Sequence, residues 1–542
     1  MKEPNTSNPL IVQSDMSVLL DVMNPMFEEA RDALNVFAEL QKSPEYMHTY
    51  KITPLSLWNA ASSGTTHEQA IAILRQYAKH EVPETVITAI EGYGKRYGKV
   101  RLLEEQGEFF LDCSDANALA EVQAALKAPK GERIRVRAEF RGHIKQVLLK
   151  IGYPVVDLAG YSEAEKLRVN LNNSFTMRRY QTEAADSFHA GGSVTGGSGV
   201  IVLPCGAGKT VVGMAVMEMV NTETLILTTG ITALRQWRSE LLDKTDIASE
   251  DIGEYSGERK EIRPVTITTY QTLTQRRDKD SPFIHFELFN HRNWGLIIYD
   301  EVHMLPAPVF RATAEIQSKR RLGLTATLIR EDGLETDVFS LIGPKKYDLP
   351  WKSLEKDGFI AEARCTEVRV PLSSEDRYAY AIASKRDKFR IAAENANKLT
   401  VLEGLIERHN TDSILVIGQY IDQLKIVSEK LMAPIITGAT KNAERERLYG
   451  AFKRGEMKTI VVSKVANFAI DLPDANVAIE LSGAFGSRQE EAQRLGRILR
   501  PKPGDNRAWF YTIVSEDTNE IDFSAKRQMF LTEQGYRYEI TR

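Results

Sequence analysis

The sequence predicts an α/β protein of two doubly wound parallel-sheet lobes behind an N-terminal α+β accessory region, and three observations predict it. Apolar strands alternate with helical segments at Leu225-Ile226-Leu227, Val265-Thr266-Ile267, Leu296-Ile297-Ile298-Tyr299 and Arg321-Leu322-Gly323-Leu324, which is the rhythm of parallel strand-crossover-strand units. After about Pro350 the rhythm restarts at Ile414-Leu415-Val416-Ile417, Thr459-Ile460-Val461-Val462 and Val477-Ala478-Ile479. A glycine-rich turn after an apolar strand, Val200-Ile201-Val202-Leu203-Pro204-Cys205-Gly206-Ala207-Gly208-Lys209-Thr210, precedes the first series and has no counterpart in the second. Two lobes with one such loop imply a site shared between them.

At 542 residues the chain is long enough for roughly three to four domains with cores of their own. A hydrophobic content of 42% beside 27% charged residues is that of a water-soluble globular protein. Residues 1–5 lack a basic-then-apolar leader, and no apolar run approaches the roughly 18 residues that span a bilayer. A cytoplasmic protein without a membrane partner is expected. Cys113, Cys205 and Cys365 are too far apart in sequence for a Cys-x-x-Cys metal site or a disulfide framework. The net charge of −4 excludes a chain coated in positive charge and leaves any nucleic-acid partner to a local basic track.

Residues 1–60 are expected as an α+β segment, 61–160 as an accessory α+β region, 165–360 as the first lobe and 361–542 as the second. Leu10-Ile11-Val12 suits a short buried strand, and Phe27, Ala30, Leu34, Phe37 and Leu40 suit an amphipathic helix. Thr53-Pro54 supplies an N-cap and first-turn proline for a helix that stops near Gly64. Thr65-Thr66-His67-Glu68-Gln69 offers a capping box in either of two registers. A further helix follows Pro83, and then two strands flank Gln106-Gly107, an order compatible with a winged-helix module or with a plain packing domain. From Arg133 to Arg141, Ile134, Val136, Ala138 and Phe140 alternate with Arg133, Arg135, Arg137, Glu139 and Arg141. That pattern predicts a half-buried strand whose arginine face neutralises phosphates; a solvated face is the alternative. A polar linker follows between Gly160 and Asn173, then a helix opening at Met177-Arg178-Arg179-Tyr180-Gln181. An exposed Gln181 ahead of the glycine-rich turn could bind an adenine edge as donor and acceptor together.

The turn has the chemistry of a phosphate-binding loop. Gly206, Ala207 and Gly208 let successive amides face an anion at a helix N-terminus, Lys209 reaches the β/γ-phosphates, and Thr210 offers a hydroxyl to Mg²⁺. Leu203 stands where the general pattern has glycine. The strand ending in Asp300-Glu301-Val302-His303 puts two acids at the carboxyl edge of a parallel sheet. Asp300 is expected to hold Mg²⁺, and Glu301 to orient and deprotonate water. Thr325-Ala326-Thr327 is placed to link this site to lobe movement. In Gln493-Arg494-Leu495-Gly496-Arg497-Ile498-Leu499-Arg500, Arg497 and Arg500 have arginine-finger spacing, and Gln493 joins them as a catalytic candidate. Asp471 is a candidate ribose contact. ATP and Mg²⁺ are the expected cofactors, with no other small-molecule substrate.

These segments resemble superfamily 2 helicases of the DExH class over roughly residues 178–540. Narrower features resemble the XPB family of DNA repair helicases: Leu203-Pro204-Cys205-Gly206, the triplet Arg330-Glu331-Asp332, the run Gly486-Ser487-Arg488-Gln489-Glu490-Glu491-Ala492-Gln493-Arg494, and a tail with Lys526-Arg527-Gln528 and Gln534-Gly535-Tyr536. The resemblance implies RecA-like lobes and a 3′-to-5′ DNA helicase or duplex translocase acting in nucleotide excision repair. It also implies that Arg330, Glu331 and Asp332 help open duplex. A thumb-like insertion at about 373–397, with Lys385, Arg386, Lys388 and Arg390, would grip DNA; a plain surface helix is the alternative. Arg235 is a further candidate nucleic-acid contact. Residues 57–110 resemble the region ahead of the XPB motor, including its damage-recognition part, and the compact length suits a bacterial-type member. The expected partner is DNA, whether single-stranded, forked or duplex, and a repair nuclease is a candidate second partner. An ATP-gated binding scaffold is the rival from another class; the motifs alone leave DNA against RNA open.

Overall fold

The structure, a computed structural model, describes residues 7–44, 46–129, 133–172, 175–278, 281, 283–317, 319–328, 335–463, 475–483, 491, 494–496, 498–499, 501 and 506–542. The chain divides into two units, one of Met1–Gln41, Glu45–Leu203 and Gly208–Leu349, the other of Lys42–Pro44, Pro204–Ala207 and Pro350–Arg542.

In the first unit, β1 (Leu10–Val12), β2 (Ser17–Asp21), β3 (Glu39–Lys42) and β4 (Met47–Lys51) form a sheet of order β1-β2-β4-β3. The helix expected to reach Leu40 is Phe27–Leu34. Phe27, Ala30 and Leu34 bury its one face, whereas Leu40 is the inward residue of β3 between exposed Glu39 and Gln41, a two-residue period hidden inside the helical one. The helix Pro54–Ser62 is capped by Thr53, whose hydroxyl accepts the Ser56 N–H at 3.0 Å while Ser56 Oγ accepts the Thr53 N–H at 3.0 Å. For the helix His67–Tyr77 the register at Thr66 wins: its Oγ1 accepts the Gln69 N–H at 3.3 Å and its own N–H donates to Gln69 Oε1 at 2.8 Å.

These helices and Glu84–Gly94 pack with one another and with the first sheet, so the hairpin that follows is not a wing on them. Instead β5 (Val100–Glu105) and β6 (Glu108–Cys113) join β7 (Ile134–Val136) and β8 (Val155–Asp157) in the order β7-β6-β5-β8. This sheet has its own core around Leu102, Leu111, Val122, Ile134 and Leu148. Gln106 and Gly107, both with positive φ (54° and 82°), make its tight turn.

The strand expected over 133–141 ends at Val136. Ala138–Phe140 is a 3₁₀ turn, and Arg141 opens a helix, Arg141–Lys150. Arg141 is drawn inward because Asp157 accepts its Nε at 2.9 Å and its Nη2 at 2.7 Å, with Lys145 Nζ 3.0 Å from the same carboxylate. Lys145 also donates to Gln317, and Gln146 to Asp337 at 2.8 Å. Gly142 comes so close to the helix Ala307–Glu315 that a Cβ there would stand 2.4 Å from the Ala314 carbonyl oxygen. A buried ionic cluster thereby ties the helix Arg141–Lys150 to its own sheet, and the helix meets the lobe behind it through Lys145, Gln146 and Gly142. Burial pushes the Lys145 amine down to about 7, while Asp157, which burial alone would raise, is held well below the usual carboxylate range by Lys145 and Arg141.

That lobe is a seven-stranded sheet in which all the pairings are parallel: β9 (Ser198–Val202), β10 (Thr224–Thr228), β11 (Ile252–Tyr255), β12 (Val265–Thr269), β13 (Leu296–Asp300), β14 (Arg320–Thr325) and β15 (Lys345–Asp348), in the order β11-β12-β10-β13-β14-β9-β15. The central strands are buried on both faces, as the continuous apolar runs require. The order sets the carboxyl ends of β13, β14 and β9 side by side.

The second unit repeats the architecture with β16 (Glu362–Val370), β17 (Ile414–Gly418), β18 (Ile435–Ile436), β19 (Thr459–Ser463), β20 (Val477–Glu480), β21 (Arg507–Ser515) and β22 (Tyr538–Thr541), in the order β18-β19-β17-β20-β21-β16-β22, again parallel. Between β16 and β17, the stretch 373–397 holds two helices, Ser374–Ile382 and Lys385–Ala393, capped by the Ser373 and Ser384 hydroxyls. Among the described residues, no helix is long and apolar enough to cross a membrane.

Candidate active site

The glycine-rich turn leaves β9 through Leu203, which is fully buried and donates its N–H to the Thr325 carbonyl of the neighbouring strand at 3.0 Å. A leucine is therefore accommodated at this position: it closes the end of the sheet, and the curl begins after it. Gly206 and Gly208 supply that curl with φ of 79° and 81°, and Gly208 is the N-cap of the helix Lys209–Val220. Gln181 lies against the turn, its Nε2 2.4 Å from where a Cβ on Gly208 would stand. It is 6% exposed and its Oε1 accepts the Arg178 N–H at 2.9 Å, so the exposed carboxamide expected from sequence is instead a buried brace.

Two strands away, β13 delivers Asp300 and Glu301. Glu301 has φ 50° and ψ 56°, a left-handed conformation uncommon for a residue with a side chain. Its Oε1 lies 3.3 Å from Lys209 Nζ, and its Oε2 3.4 Å from His303 Nδ1. His303 Nδ1 is 2.6 Å from Thr325 Oγ1 at the end of β14, and that hydroxyl donates to the Thr327 carbonyl at 2.6 Å while accepting the Thr327 N–H at 3.2 Å. The catalytic candidates of three adjacent strand ends thus form one connected polar set: Lys209, Glu301, His303 and Thr325.

The two neighbouring acids are driven apart electrostatically. Burial, and then the Glu301 charge, pushes Asp300 above the ordinary carboxylate range. Burial would raise Glu301 too, but the Lys209 and His303 charges outweigh it and hold Glu301 low, in the ionised form a base requires. The donor set, a hydroxyl at Thr210 and a carboxylate at Asp300 beside a lysine ammonium, fits Mg²⁺, which is held by one or two protein oxygens together with phosphate. Among the described residues no group of three or more His, Cys, Asp or Glu forms a dedicated metal cage.

In the second unit, Arg494 is buried with Nη1 2.8 Å from Glu480 Oε2 at the end of β20. Arg527 Nε, on the helix Glu520–Glu533, is 3.2 Å from Glu480 Oε1 and 3.6 Å from Glu491 Oε2, and Tyr538 of β22 donates to Glu491 Oε1 at 3.1 Å. Arg494 and Arg527 hold Glu480 low; burial and the Glu480 charge push Glu491 up. This network ties Glu491 and Arg494 to β20, β22 and the helix Glu520–Glu533. Those two arginines, with Gln493, Asp471, Arg330, Glu331 and Asp332, lie outside the described residues.

The basic candidates separate into two kinds. Arg133 is bonded to both oxygens of Glu105 (2.8 and 2.6 Å), Arg135 to Glu108, and Arg137 lies 3.6 Å from Glu139. The face read as an arginine patch is therefore matched by carboxylates from the adjoining hairpin, which a single-strand pattern does not reveal. Arg235 pairs with Glu258 at 2.9 Å. Lys385 and Arg386, by contrast, are exposed and form no ion pair among the described residues; Lys388 lies over the Tyr380 ring, 5.3 Å from its centroid.

The chain is similar to the protein named DNA 3′-5′ helicase XPB of Kineococcus radiotolerans, 52% identical over 99% of this chain and 96% of the relative. The chain belongs to the XPB helicase family. The protein of the same name from Mycobacterium tuberculosis is also 52% identical, over 99% of this chain and 98% of its own length. The general transcription and DNA repair factor IIH helicase/translocase subunit XPB of Encephalitozoon cuniculi is 34% identical over 100% of this chain and 84% of its own. The family model for the ERCC3/RAD25/XPB C-terminal helicase matches residues 354–542, that for the type III restriction enzyme res subunit matches 174–330, and a helicase conserved C-terminal domain model matches 10–137. Beyond the motif residues, sequence reading passed over Trp237, whose indole N–H donates to Asp300 Oδ2 at 3.0 Å. Its spacing with Leu234 and Leu241 is that of an ordinary core stripe.

Proposed function

We propose that this XPB family member is an ATP-dependent 3′-to-5′ DNA helicase that couples ATP hydrolysis to unwinding in DNA repair. The observation that carries the reading is the Lys209–Glu301 pair at 3.3 Å, at the carboxyl edge of one parallel sheet and beside two left-handed glycines, in a chain matched over its whole length by helicases of this name. Gly206, Ala207 and Gly208 would cradle phosphate with their amides, Lys209 would exchange the Glu301 carboxylate for a phosphate, and Gln181 would brace the loop from Gly208. Thr210 and Asp300 are the residues that would hold Mg²⁺, which when bound neutralises phosphate charge. Glu301, released from Lys209, takes a proton from the attacking water. Arg497, Arg500 and Gln493 would stabilise the transferring phosphoryl group, Asp471 would contact ribose, and Arg330, Glu331 and Asp332 would help part the duplex.

Lys385, Arg386 and Lys388 are the favoured DNA contacts, because their charges are not matched by neighbouring carboxylates. A repair nuclease is the natural partner for a motor that opens damaged duplex, and a cytoplasmic, DNA-associated location follows. A duplex translocase is the second reading, favoured by the word translocase in the name of the Encephalitozoon relative. ATPase activity with duplex, forked and single-stranded DNA and with RNA, run beside strand-displacement and triplex-displacement assays, tests both. Strand displacement dependent on a 3′ tail supports the helicase. Triplex displacement without strand separation supports the translocase, and ATPase indifferent to DNA refutes both.

A further inference from the structure

Trp237 lies on the helix Ile231–Lys244 and is 2% exposed, with Leu234 and Leu241 on the same buried face. Filling that space needs only an apolar ring, yet this ring also donates its Nε1–H to Asp300 Oδ2 at 3.0 Å. Its opposite edge lies against Gly213 on the helix Lys209–Val220: a Cβ at Gly213 would stand 2.6 Å from the Cη2 atom of the indole. Gly213 is one helical turn beyond Lys209 and Thr210. The main chain of Asp300 is held independently by Tyr270, whose hydroxyl donates to the Asp300 carbonyl at 2.8 Å. The indole therefore spans from the helix that opens with the lysine and hydroxyl of the phosphate loop to the side chain of the carboxylate across the site.

We propose that Trp237 is a positioning residue that fixes the plane of the Asp300 carboxylate for Mg²⁺. The proposal rests on the reading of Asp300 as the Mg²⁺ ligand. Partners that orient a metal-binding group typically matter by 10-fold or more in metal affinity. Phenylalanine keeps the ring and deletes the donor.

The test is Mg²⁺ titration of fluorescent-ATP binding to the full chain, without turnover. Trp237→Phe should raise the Mg²⁺ midpoint about 10-fold while leaving the affinity measured in EDTA unchanged. An unchanged midpoint overturns the proposal, as does an equal loss with and without Mg²⁺, which is the signature of a loosened core. Asp300→Asn in the same titration separates the two readings: an unshifted midpoint there defeats Asp300 as the ligand, whereas a shift in Asp300→Asn alone defeats only Trp237. Fluorotryptophan labelling of the wild-type chain gives a readout independent of any variant's folding. Of the five tryptophan resonances, one should broaden far more than the rest with Mn²⁺-nucleotide, and a spectrum without such a resonance overturns the proposal.

Discussion

Replacing Asp157 with asparagine should loosen the helix Arg141–Lys150, which also contacts the ATP-binding lobe, from the accessory sheet. The substitution keeps shape and deletes the carboxylate that meets Arg141 through two bonds, 2.9 and 2.7 Å, and Lys145 at 3.0 Å, where the three side chains are 3%, 6% and 11% exposed for Arg141, Lys145 and Asp157. Arg321, also buried, adds to the positive charge felt by Lys145. Breaking a buried pair by removing one partner costs about 3 to 5 kcal/mol. Because burial has already brought Lys145 to about 7, it can shed its proton near neutral pH, which places the expected loss at the lower end, about 3 kcal/mol. Hydrogen exchange at the amides of Arg141–Lys150 is the assay. The loss corresponds to roughly 100-fold faster exchange, since 1.36 kcal/mol is tenfold.

The pH dependence has a definite sign. Asp157 titrates lower folded than unfolded, so its contribution is present above the ordinary carboxylate value of about 3.9 and is lost as pH falls below it. The gap between wild type and Asp157→Asn should therefore be largest near pH 5, where Lys145 is protonated, and shrink by about 1 kcal/mol by pH 3. Lys145 titrates lower folded than unfolded as well, so between about pH 7 and its unfolded value the unfolded state holds more protons and this group makes stability rise with pH. A loss below about 1 kcal/mol at pH 7.5, or a gap that grows as pH falls below 5, would refute the account of the cluster.

Glu301→Gln should retain ATP binding and lose turnover by at least about 100-fold, and Lys209→Ala should weaken binding itself; wild-type turnover in the glutamine variant removes Glu301 from the role of base. Salt titration of duplex binding should show the log-log slope falling by roughly 0.9 for each of Lys385→Ala and Arg386→Ala. Arg133→Ala and Arg135→Ala should barely change it, because Glu105 and Glu108 already occupy those guanidinium groups; the reverse ranking would return DNA to the accessory sheet. Residue-resolved maleimide labelling should modify the half-buried Cys205 faster than Cys113, whose thiol burial pushes up to about 11, or the buried Cys365, pushed up further. Mg-ATP should protect Cys205, and labelling indifferent to nucleotide would show that the loop does not fold around phosphate.

Local signals were sufficient wherever a residue's neighbours in sequence are also its partners in space. The eight strands expected in the two lobes, the caps at Thr53 and Thr66, the turn at Gln106-Gly107 and the glycines that curl the phosphate loop all follow from periodicity or from a backbone conformation that few residues tolerate. Edge and mixed strands escaped the same reading: β15 is Lys345-Lys346-Tyr347-Asp348, and β16 interleaves Glu362, Arg364 and Glu367 with its apolar residues, so neither stands out from a loop. What tertiary structure decided was the state of each charge. Arginines at 133 and 135 are matched by glutamates more than 20 residues away, Arg141 is turned inward by Asp157, and Gln181 is buried against Gly208. Trp237 has the sequence environment of a core residue and acquires its contact with Asp300 from the parallel order of β10 and β13, which brings residues 63 positions apart to one sheet edge. Sequence specifies which groups carry charge and how the local backbone turns; whether a charge faces water, a counter-ion or a reacting site depends on strand order, because electrostatic energy is set by distance and burial, which the linear pattern does not contain.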